Sequence, residues 1–192
     1  MTKIGVLALQ GAVAERIRGI EMAGAEGVVV KRTEQLADLD GIILPGGEST
    51  TIGKLMRTFG FIDALREFSA AGKPIFGTCA GLIVIAKEIT GQPEAHLELM
   101  DITVARNAFG RQRESFETDL PIKGIDENVR AVFIRAPLIE KVGPDVEVLA
   151  TYNGQIVAAK QGHLLAASFH PELTDDFRLH SYFLDMVKES QA

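Results

Sequence analysis

The sequence predicts one α/β domain in which helices cover both faces of a mixed sheet. In the first half of the chain, short apolar runs alternate with amphipathic segments, the pattern of parallel strands joined by helical crossovers. After about residue 100, strand-like runs follow one another with few helical stretches between them, which favours antiparallel pairing. The 192 residues contain no linker-like tract long enough to divide domains, so we expect residues 1–192 to fold as one unit.

Apolar runs and helical stripes alternate in the first half of the chain. A strand buried on both faces is nearly continuous in apolar residues. Such runs occur at Ile4–Leu9, Val28–Val30, Gly41–Leu44 and Pro74–Phe76. Helices are expected where apolar residues recur every three or four positions, and Gly24 and Gly72 are placed to end two of them. These helical segments start near Val13, Ile52, Phe61 and Leu82, the last running to Ile89.

Strands and turns dominate the second half. Asn153-Gly154 lies between two strand-like runs, which is a strong signal for a type I′ hairpin. A final helix is expected to open near Thr174, because its hydroxyl can cap free amides and two aspartates follow it. The strand-like runs are Ile102–Val104, Val132–Ile134, Val146–Leu149, Ile156–Ala158 and Leu164–Ala166.

Composition and charge exclude several classes of function. The net charge of −6 argues against binding to nucleic acid or to anionic membranes, and no compact cluster of basic residues overrides it. One cysteine cannot form an internal disulfide and suits a reducing compartment. No apolar run approaches the roughly 20 residues of a membrane span, so the cytoplasm is the expected location. With one cysteine and no clustered histidines, no metal site is expected.

The single cysteine stands where a short apolar strand runs into a helix. Gly77 and Gly81 flank Cys79 two residues away on either side, which is the pattern of a nucleophile elbow. A sharp strand-to-helix turn crowds both flanking positions, so both must lack bulky side chains. A position at a helix start favours thiolate, and the amide of Ala80 would face a developing oxyanion. The alternative is an inert core cysteine, which the paired glycines disfavour.

Among four histidines, His170 has the most suggestive neighbours. His170 and Glu172 are two residues apart, so in extended chain they would face the same way and the carboxylate could orient the imidazole. His-x-Glu alone is more often part of a surface loop, but together with the cysteine elbow it indicates nucleophilic catalysis. His96 and His180 have no comparable companion and are expected to be non-catalytic.

Six segments stand in a characteristic order along the chain. They are Gly5–Val13, Leu44–Thr51, the Cys79 elbow, Arg106–Gln112, Phe133–Pro137 and Phe169–Glu172. Together they resemble the class I glutamine amidotransferases and, among them, the PdxT family, and the similarity extends from about residue 3 to residue 188.

This resemblance implies a three-layer flavodoxin-like fold, with a mostly parallel mixed sheet and an antiparallel C-terminal extension. It also implies a glutaminase without a cofactor, which hydrolyses L-glutamine and passes ammonia to a PdxS-type synthase subunit that makes pyridoxal 5′-phosphate. Cys79 would be the nucleophile, His170 the acid and base, and Glu172 its orienting partner. The glutamine-binding residues would be Gly47, Glu48, Ser49, Arg106, Ile134 and Arg135, with Gly47 and Ala80 forming the oxyanion hole.

Two positions depart from the family pattern. Members commonly carry His where Arg16 stands and Ser where Ala108 stands. Arg16 is expected near the surface that faces the synthase, and Ala108 near the glutamine pocket.

Two other functions remain open from the sequence, namely a cysteine peptidase of the related flavodoxin-like superfamily and a catalytically inactive regulatory subunit. We further expect partner docking to set the Gly46-Gly47 peptide and thereby to switch the glutaminase on.

Overall fold

The computed structural model describes residues 1–9, 13–106 and 115–192, and these ranges contain five α-helices and twelve strands. The strands are β1 (Lys3–Leu7), β2 (Glu26–Val30), β3 (Gly41–Leu44), β4 (Ile75–Thr78), β5 (Ala86–Ile89), β6 (Met100–Ala105), β7 (Ser115–Leu120), β8 (Val129–Ile134), β9 (Leu138–Val142), β10 (Glu147–Tyr152), β11 (Gln155–Gln161) and β12 (Leu164–Ala167). The helices are α1 (Val13–Ala23), α2 (Ser49–Thr58), α3 (Phe61–Ala70), α4 (Ala80–Ile85) and α5 (Arg178–Gln191), with 3₁₀ helices at Thr33–Asp38 and Pro171–Leu173.

Ten of these strands form one mixed sheet in the order β2-β1-β3-β4-β12-β11-β9-β6-β5, with β10 paired to β11. The strands from β2 to β12 run parallel, whereas β12, β11, β9 and β6 pair antiparallel in turn. The predicted mixed α/β sheet is therefore confirmed. Strand β8 contains the predicted run Val132–Ile134 and forms a separate antiparallel pair with β7. Neither β7 nor β9 was predicted. Asn153 and Gly154 both have positive φ, +50° and +77°, as the predicted type I′ turn between β10 and β11 requires.

Alternate residues of the parallel strands pack into two different cores, one on each face of the sheet. Ile42 and Leu44 of β3 join the core beneath α2, α3 and α4, whereas Ile43 joins the core beneath α1 and α5. This alternation follows from the two-residue repeat of a strand. Helices therefore cover both faces, as predicted.

Two predicted element boundaries are wrong. The helix expected to run to Ile89 ends at Ile85, and the next residues form β5, which pairs parallel to β6. Residues 82–86 are all apolar. Periodicity therefore could not show where the buried helix ends and the buried strand begins. The last helix begins at Arg178 rather than near Thr174, because Asp176 Oδ1 accepts the Arg178 amide hydrogen at 3.2 Å while the Thr174 hydroxyl accepts from the Asp176 amide at 3.1 Å.

Three neighbouring parallel strands end at the same edge of the sheet. β3 leads into Pro45-Gly46-Gly47, β4 into Cys79, and β12 into the segment that ends at His170. The Cys79 amide donates to the Ala167 carbonyl at 2.9 Å, which joins the ends of β4 and β12. Ligands in open α/β sheets bind at such an edge. No helix within the described parts of the chain has the length and apolar character needed to cross a bilayer.

Candidate active site

Cys79 is held in an uncommon backbone conformation at the junction of β4 and α4. Its φ is +54° and its ψ is −111°, values that a residue other than glycine seldom adopts. Such strain persists only where the surroundings impose it, and it clusters at functional sites. A Cβ atom at Gly81 would lie 2.1 Å from the Leu44 carbonyl oxygen, so the predicted need for glycine in the elbow is confirmed at this position.

The thiol is largely enclosed and lies beside groups from three other segments. Cys79 is 7% exposed, and its Sγ lies 3.9 Å from the carbonyl oxygen of Ile134. A Cβ atom added to Gly46 would lie 2.9 Å from Cε1 of His170 and 3.5 Å from Cβ of Cys79. The sequence-distant residues Gly46, Cys79 and His170 therefore meet at one point, and Gly46 has no room for a side chain.

His170 connects the thiol to a buried carboxylate. Its Nδ1 lies 2.8 Å from Oε2 of Glu172. Burial acts to lower the pKa of His170, but hydrogen bonds with Cys79 and Glu172 outweigh it and raise the pKa to about 9. Because Nδ1 is engaged by Glu172, Nε2 is the ring nitrogen left to interact with Cys79. The arrangement favours an imidazolium at neutral pH.

The predicted contact between His170 and Glu172 exists, but the reason given for it was wrong. His170 is extended, with φ −106° and ψ 90°, whereas Glu172 lies in the 3₁₀ helix that begins at Pro171. The chain therefore turns between the two residues, and the turn rather than a strand face brings the carboxylate to the ring. The His170 amide is fixed by the Val132 carbonyl of β8 at 2.8 Å.

Glu172 also pairs with Arg16, which the sequence placed near a partner surface. Nη2 of Arg16 lies 3.2 Å from Oε2 of Glu172, and each side chain is only 2% exposed. The Arg16 side chain is therefore buried in the domain, and its nearness to a surface that faces the synthase stays a prediction. Burial acts to raise the pKa of Glu172, but the His170 hydrogen bond and the Arg16 charge hold it below its usual range. The sequence does indicate that Arg16 is buried, because it lies four residues before the buried Ile20 and therefore on the same face of α1.

An open cleft of about 410 Å³ lies directly beside Cys79. It brings together most of the residues predicted to bind glutamine or an oxyanion. Ile134 is not part of the lining, but its carbonyl contacts the thiol. Ile83 and Pro137 line the cleft without having been predicted, because an apolar side chain carries no chemical signal in a sequence. The lining consists of Gly47, Glu48, Ser49, Cys79, Ala80, Ile83, Arg106, Arg135 and Pro137.

Glu48 is fixed in the cleft as a charged group. Its carboxylate caps α2 by accepting the amide hydrogens of Thr50 and Thr51, at 3.2 and 2.7 Å, and Nη2 of Arg106 lies 2.8 Å from Oε1. Desolvation acts to raise the pKa of Glu48, but the hydrogen bonds from Thr51 and Thr50 dominate and lower it to about 2. Gly47, immediately before it, has a φ of +123°, which favours glycine.

Some predicted features lie outside the described residues. These are Gln10 to Ala12 of the first family motif and 107–114, which include Ala108. Within the ranges that the structure does describe, no group of three His, Cys, Asp or Glu side chains is arranged to hold a metal ion. His180 packs its ring against Gly19 on α1, and His163 pairs with the Ser69 hydroxyl at 2.7 Å.

Comparison with known proteins places the chain in a family. The model of the SNO glutamine amidotransferase family matches residues 6–189. Proteins named pyridoxal 5′-phosphate synthase subunit PdxT are 76% identical over 189 residues in Niallia circulans (98% of this chain, 100% of the relative) and 65% identical over 192 residues in Geobacillus sp. strain WCH70 (100% of each). A crystal structure of a glutamine amidotransferase superposes with a TM-score of 0.92 at 49% identity, covering 96% of this chain and 98% of that one. The chain therefore belongs to the SNO glutamine amidotransferase family, which it shares with these PdxT subunits.

Proposed function

We propose that this protein is the glutaminase subunit of a pyridoxal 5′-phosphate synthase. In this proposal it hydrolyses L-glutamine to L-glutamate and ammonia and delivers the ammonia to a PdxS-type synthase subunit. The observation that carries the proposal is the line of Cys79, His170 and Glu172 beside a cleft lined by charged residues. The subunit name of the relatives supports the assignment of a partner.

The charges in the cleft suit the two ends of glutamine. Its volume of about 410 Å³ lies within the range of small-ligand pockets. The Glu48 carboxylate is suited to the α-ammonium group, and the guanidinium groups of Arg106 and Arg135 are suited to the α-carboxylate. This orientation would leave the side-chain amide to reach Cys79.

Hydrolysis would proceed through a thioester. The Cys79 thiolate attacks the amide carbon, and the resulting oxyanion is held by the amides of Gly47 and Ala80. As the carbon–nitrogen bond breaks, the His170 imidazolium gives its proton to the departing nitrogen, which leaves as ammonia. Neutral His170 then takes a proton from water while the hydroxide adds to the thioester. Collapse of that adduct releases glutamate and restores the thiolate and imidazolium.

Glu172 would keep His170 in the required tautomer throughout. Its carboxylate accepts the Nδ1 hydrogen, so the proton exchanged with substrate and water is the one on Nε2. The pKa of about 9 at His170 favours the protonated form that the first step needs at neutral pH.

The Gly46-Gly47 turn is suited to regulation by the partner. Neither residue carries a side chain, and Gly47 has positive φ, so the peptide between them can change orientation at little steric cost. In our proposal, docking of the synthase sets this peptide in the orientation that completes the oxyanion hole. Glutamine turnover is measured with and without synthase, and equal rates would remove this part of the proposal.

The proposed function is tested with 6-diazo-5-oxo-L-norleucine, an electrophilic glutamine analogue. We expect intact-mass measurement of the complex with a PdxS-type synthase to find one adduct on Cys79. L-Glutamine should prevent it, L-asparagine should not, and Cys79→Ala should abolish it. The same complex should release ammonia from glutamine and form pyridoxal 5′-phosphate. Absence of both adduct and ammonia release with the synthase bound would favour a peptidase or an inactive subunit.

A further inference from the structure

We infer that Arg16 is a positioning residue of this active site, which fixes the Glu172 carboxylate against His170 and supplies a buried positive charge beside Cys79 and His170. The inference rests on the proposed function, because it assigns Arg16 a role in that same triad. Arg16 is not a catalytic residue in this account, since it is argued to act through Glu172.

One carboxylate oxygen of Glu172 contacts both Arg16 and His170. Oε2 of Glu172 lies 3.2 Å from Nη2 of Arg16 and 2.8 Å from Nδ1 of His170. Arg16 comes from α1 and Glu172 from the 3₁₀ helix after β12, so the pair joins two elements that are far apart in sequence. With Oε2 held from both sides, rotation of the carboxylate away from the imidazole would break the ion pair as well.

Arg16 also lies next to the reacting groups. A Cβ atom at Gly46 would be 3.2 Å from Nη2 of Arg16, 2.9 Å from the His170 ring and 3.5 Å from Cβ of Cys79. The guanidinium therefore lies on the same side of the Gly46 turn as the thiol and the imidazole. Its position suits a part of the active-site interior better than a surface contact for another protein.

Charge explains why such a residue is needed. In the thiolate–imidazolium state, Cys79 and Glu172 are negative while His170 and Arg16 are positive, so the enclosed cluster is neutral. Without Arg16 the cluster would carry one net negative charge, which is unfavourable in a desolvated site and would draw in a proton. Arg16 thus favours the state in which the thiol has already given up its proton.

Within residues 1–9, 13–106 and 115–192, the positive charges that act on Glu172 come from Arg16 and His170. His180 on α5 faces the pair, but burial lowers its pKa to about 4, so it is neutral at neutral pH. Glu15 on α1 adds only negative charge near Arg16. Among the residues that the structure describes, the titratable groups that face Glu172 or Arg16 are Glu15, Cys79, His170 and His180.

The experiment measures the rate at which iodoacetamide alkylates Cys79 as a function of pH in the full chain. In Arg16→Gln we expect the midpoint of this profile to rise by about one pH unit or more, because an opposite charge has been removed from the cluster. Arg16→Lys keeps the charge and should stay close to wild type. Arg18→Gln is the matched control, because Arg18 lies on the same helix but forms an exposed pair with Asp175. An unchanged midpoint in folded Arg16→Gln overturns the inference.

Two further measurements separate this role from a purely structural one. In the complex with synthase, Arg16→Gln should lower kcat for glutamine hydrolysis about tenfold or more while leaving KM near wild type, because the cleft residues are untouched. If Arg16→Gln does not fold, Arg16→Met is measured instead, because it keeps much of the side-chain volume without the charge, and a midpoint equal to that of wild type would then refute the inference. If the wild-type complex does not hydrolyse glutamine, the proposed function fails, but the alkylation profile still reports on Arg16.

Discussion

A Cβ atom added at Gly77 would lie 2.5 Å from the carbonyl oxygen of Gly81, across the turn that carries Cys79. Gly81 is confined in its turn by β3, because its own Cβ would lie 2.1 Å from the Leu44 carbonyl oxygen. The two glycines therefore let β4 turn directly into α4 while α4 packs against the neighbouring strand. This packing places the thiol next to Gly46 and His170.

The first prediction is that neither elbow glycine tolerates a methyl group. Gly81→Ala should lower the free energy of unfolding by at least about 2 kcal/mol, since the obstructing atoms are backbone and cannot move without breaking the β3–β4 packing. The rate at which iodoacetamide alkylates Cys79 in the folded protein should also differ from that of wild type. Urea unfolding followed by circular dichroism measures the first effect.

Gly162→Ala serves as the control for the elbow glycines. Gly162 has a φ of +57° and nothing within 4 Å of an added Cβ, so only the left-handed backbone cost of about 1 kcal/mol applies. If Gly81→Ala costs no more than Gly162→Ala, the elbow is not sterically confined and the argument for its glycines fails.

The elbow was predictable because its constraint is local, whereas the contact between Glu172 and Arg16 was not. Gly77 and Gly81 mark a turn within five residues, and their spacing alone indicates it. The Arg16–Glu172 pair joins residues 156 positions apart (172 − 16), so only the packed fold reveals it. Similarly, Ala86–Ile89 pairs with β6 through backbone hydrogen bonds, which the pattern of side chains does not predict. Sequence reasoning therefore found the contact between His170 and Glu172 but missed Arg16, which lies on the other side of the same carboxylate.

The second prediction concerns the pH dependence of stability. Glu172 has a lowered pKa, so its contribution to the free energy of unfolding is present above its usual value of 4.5 and lost as pH falls. His170 has a pKa raised from 6.5 to about 9, so its contribution is present below 6.5 and lost as pH rises towards 9. The contribution of the pair is therefore largest between those two unperturbed values.

The substitution Glu172→Gln tests this pH dependence of the free energy of unfolding. We expect the loss of unfolding free energy to be about 1–3 kcal/mol greater near pH 6 than near pH 9.5, measured by urea titration at both. Asp175→Asn is the matched control, because that carboxylate is exposed and pairs only with Arg18 in the described parts of the chain. A Glu172→Gln penalty that is the same at both values would show that the His170–Glu172 interaction does not depend on the charge of the ring.

The third prediction concerns Arg106 and the binding of glutamine. Arg106 is fixed by Glu48 at 2.8 Å and by the Thr50 hydroxyl at 3.3 Å, so its guanidinium is oriented before substrate arrives. Arg106→Gln should raise KM for glutamine about tenfold or more, as loss of a charge-assisted hydrogen bond does, while kcat changes about twofold at most. Steady-state kinetics of the synthase complex measures both constants.

Arg57→Gln is the control for Arg106. Arg57 lies on α2 and contacts His96 at 3.4 Å in a different cleft, so its removal should leave KM unchanged. If Arg106→Gln lowers kcat and leaves KM unchanged, Arg106 acts on the reacting centre rather than on the α-carboxylate, and the proposed orientation of glutamine is wrong.

The last prediction concerns the helix pair behind the active site. A Cβ atom at Gly19 of α1 would lie 2.3 Å from Nε2 of His180 on α5, and the His180 ring is buried, so the ring or the helix must shift. Gly19→Ala should therefore destabilise the protein by about 1–3 kcal/mol. In a His180→Ala background the space is free, and the same change should stabilise it by up to about 1 kcal/mol, because alanine favours a helix over glycine. Urea unfolding of wild type, Gly19→Ala, His180→Ala and the double variant tests this reversal of sign. An equal effect of Gly19→Ala in both backgrounds would mean that the two helices do not meet through this contact, and that α1 can place Arg16 beside Glu172 without it.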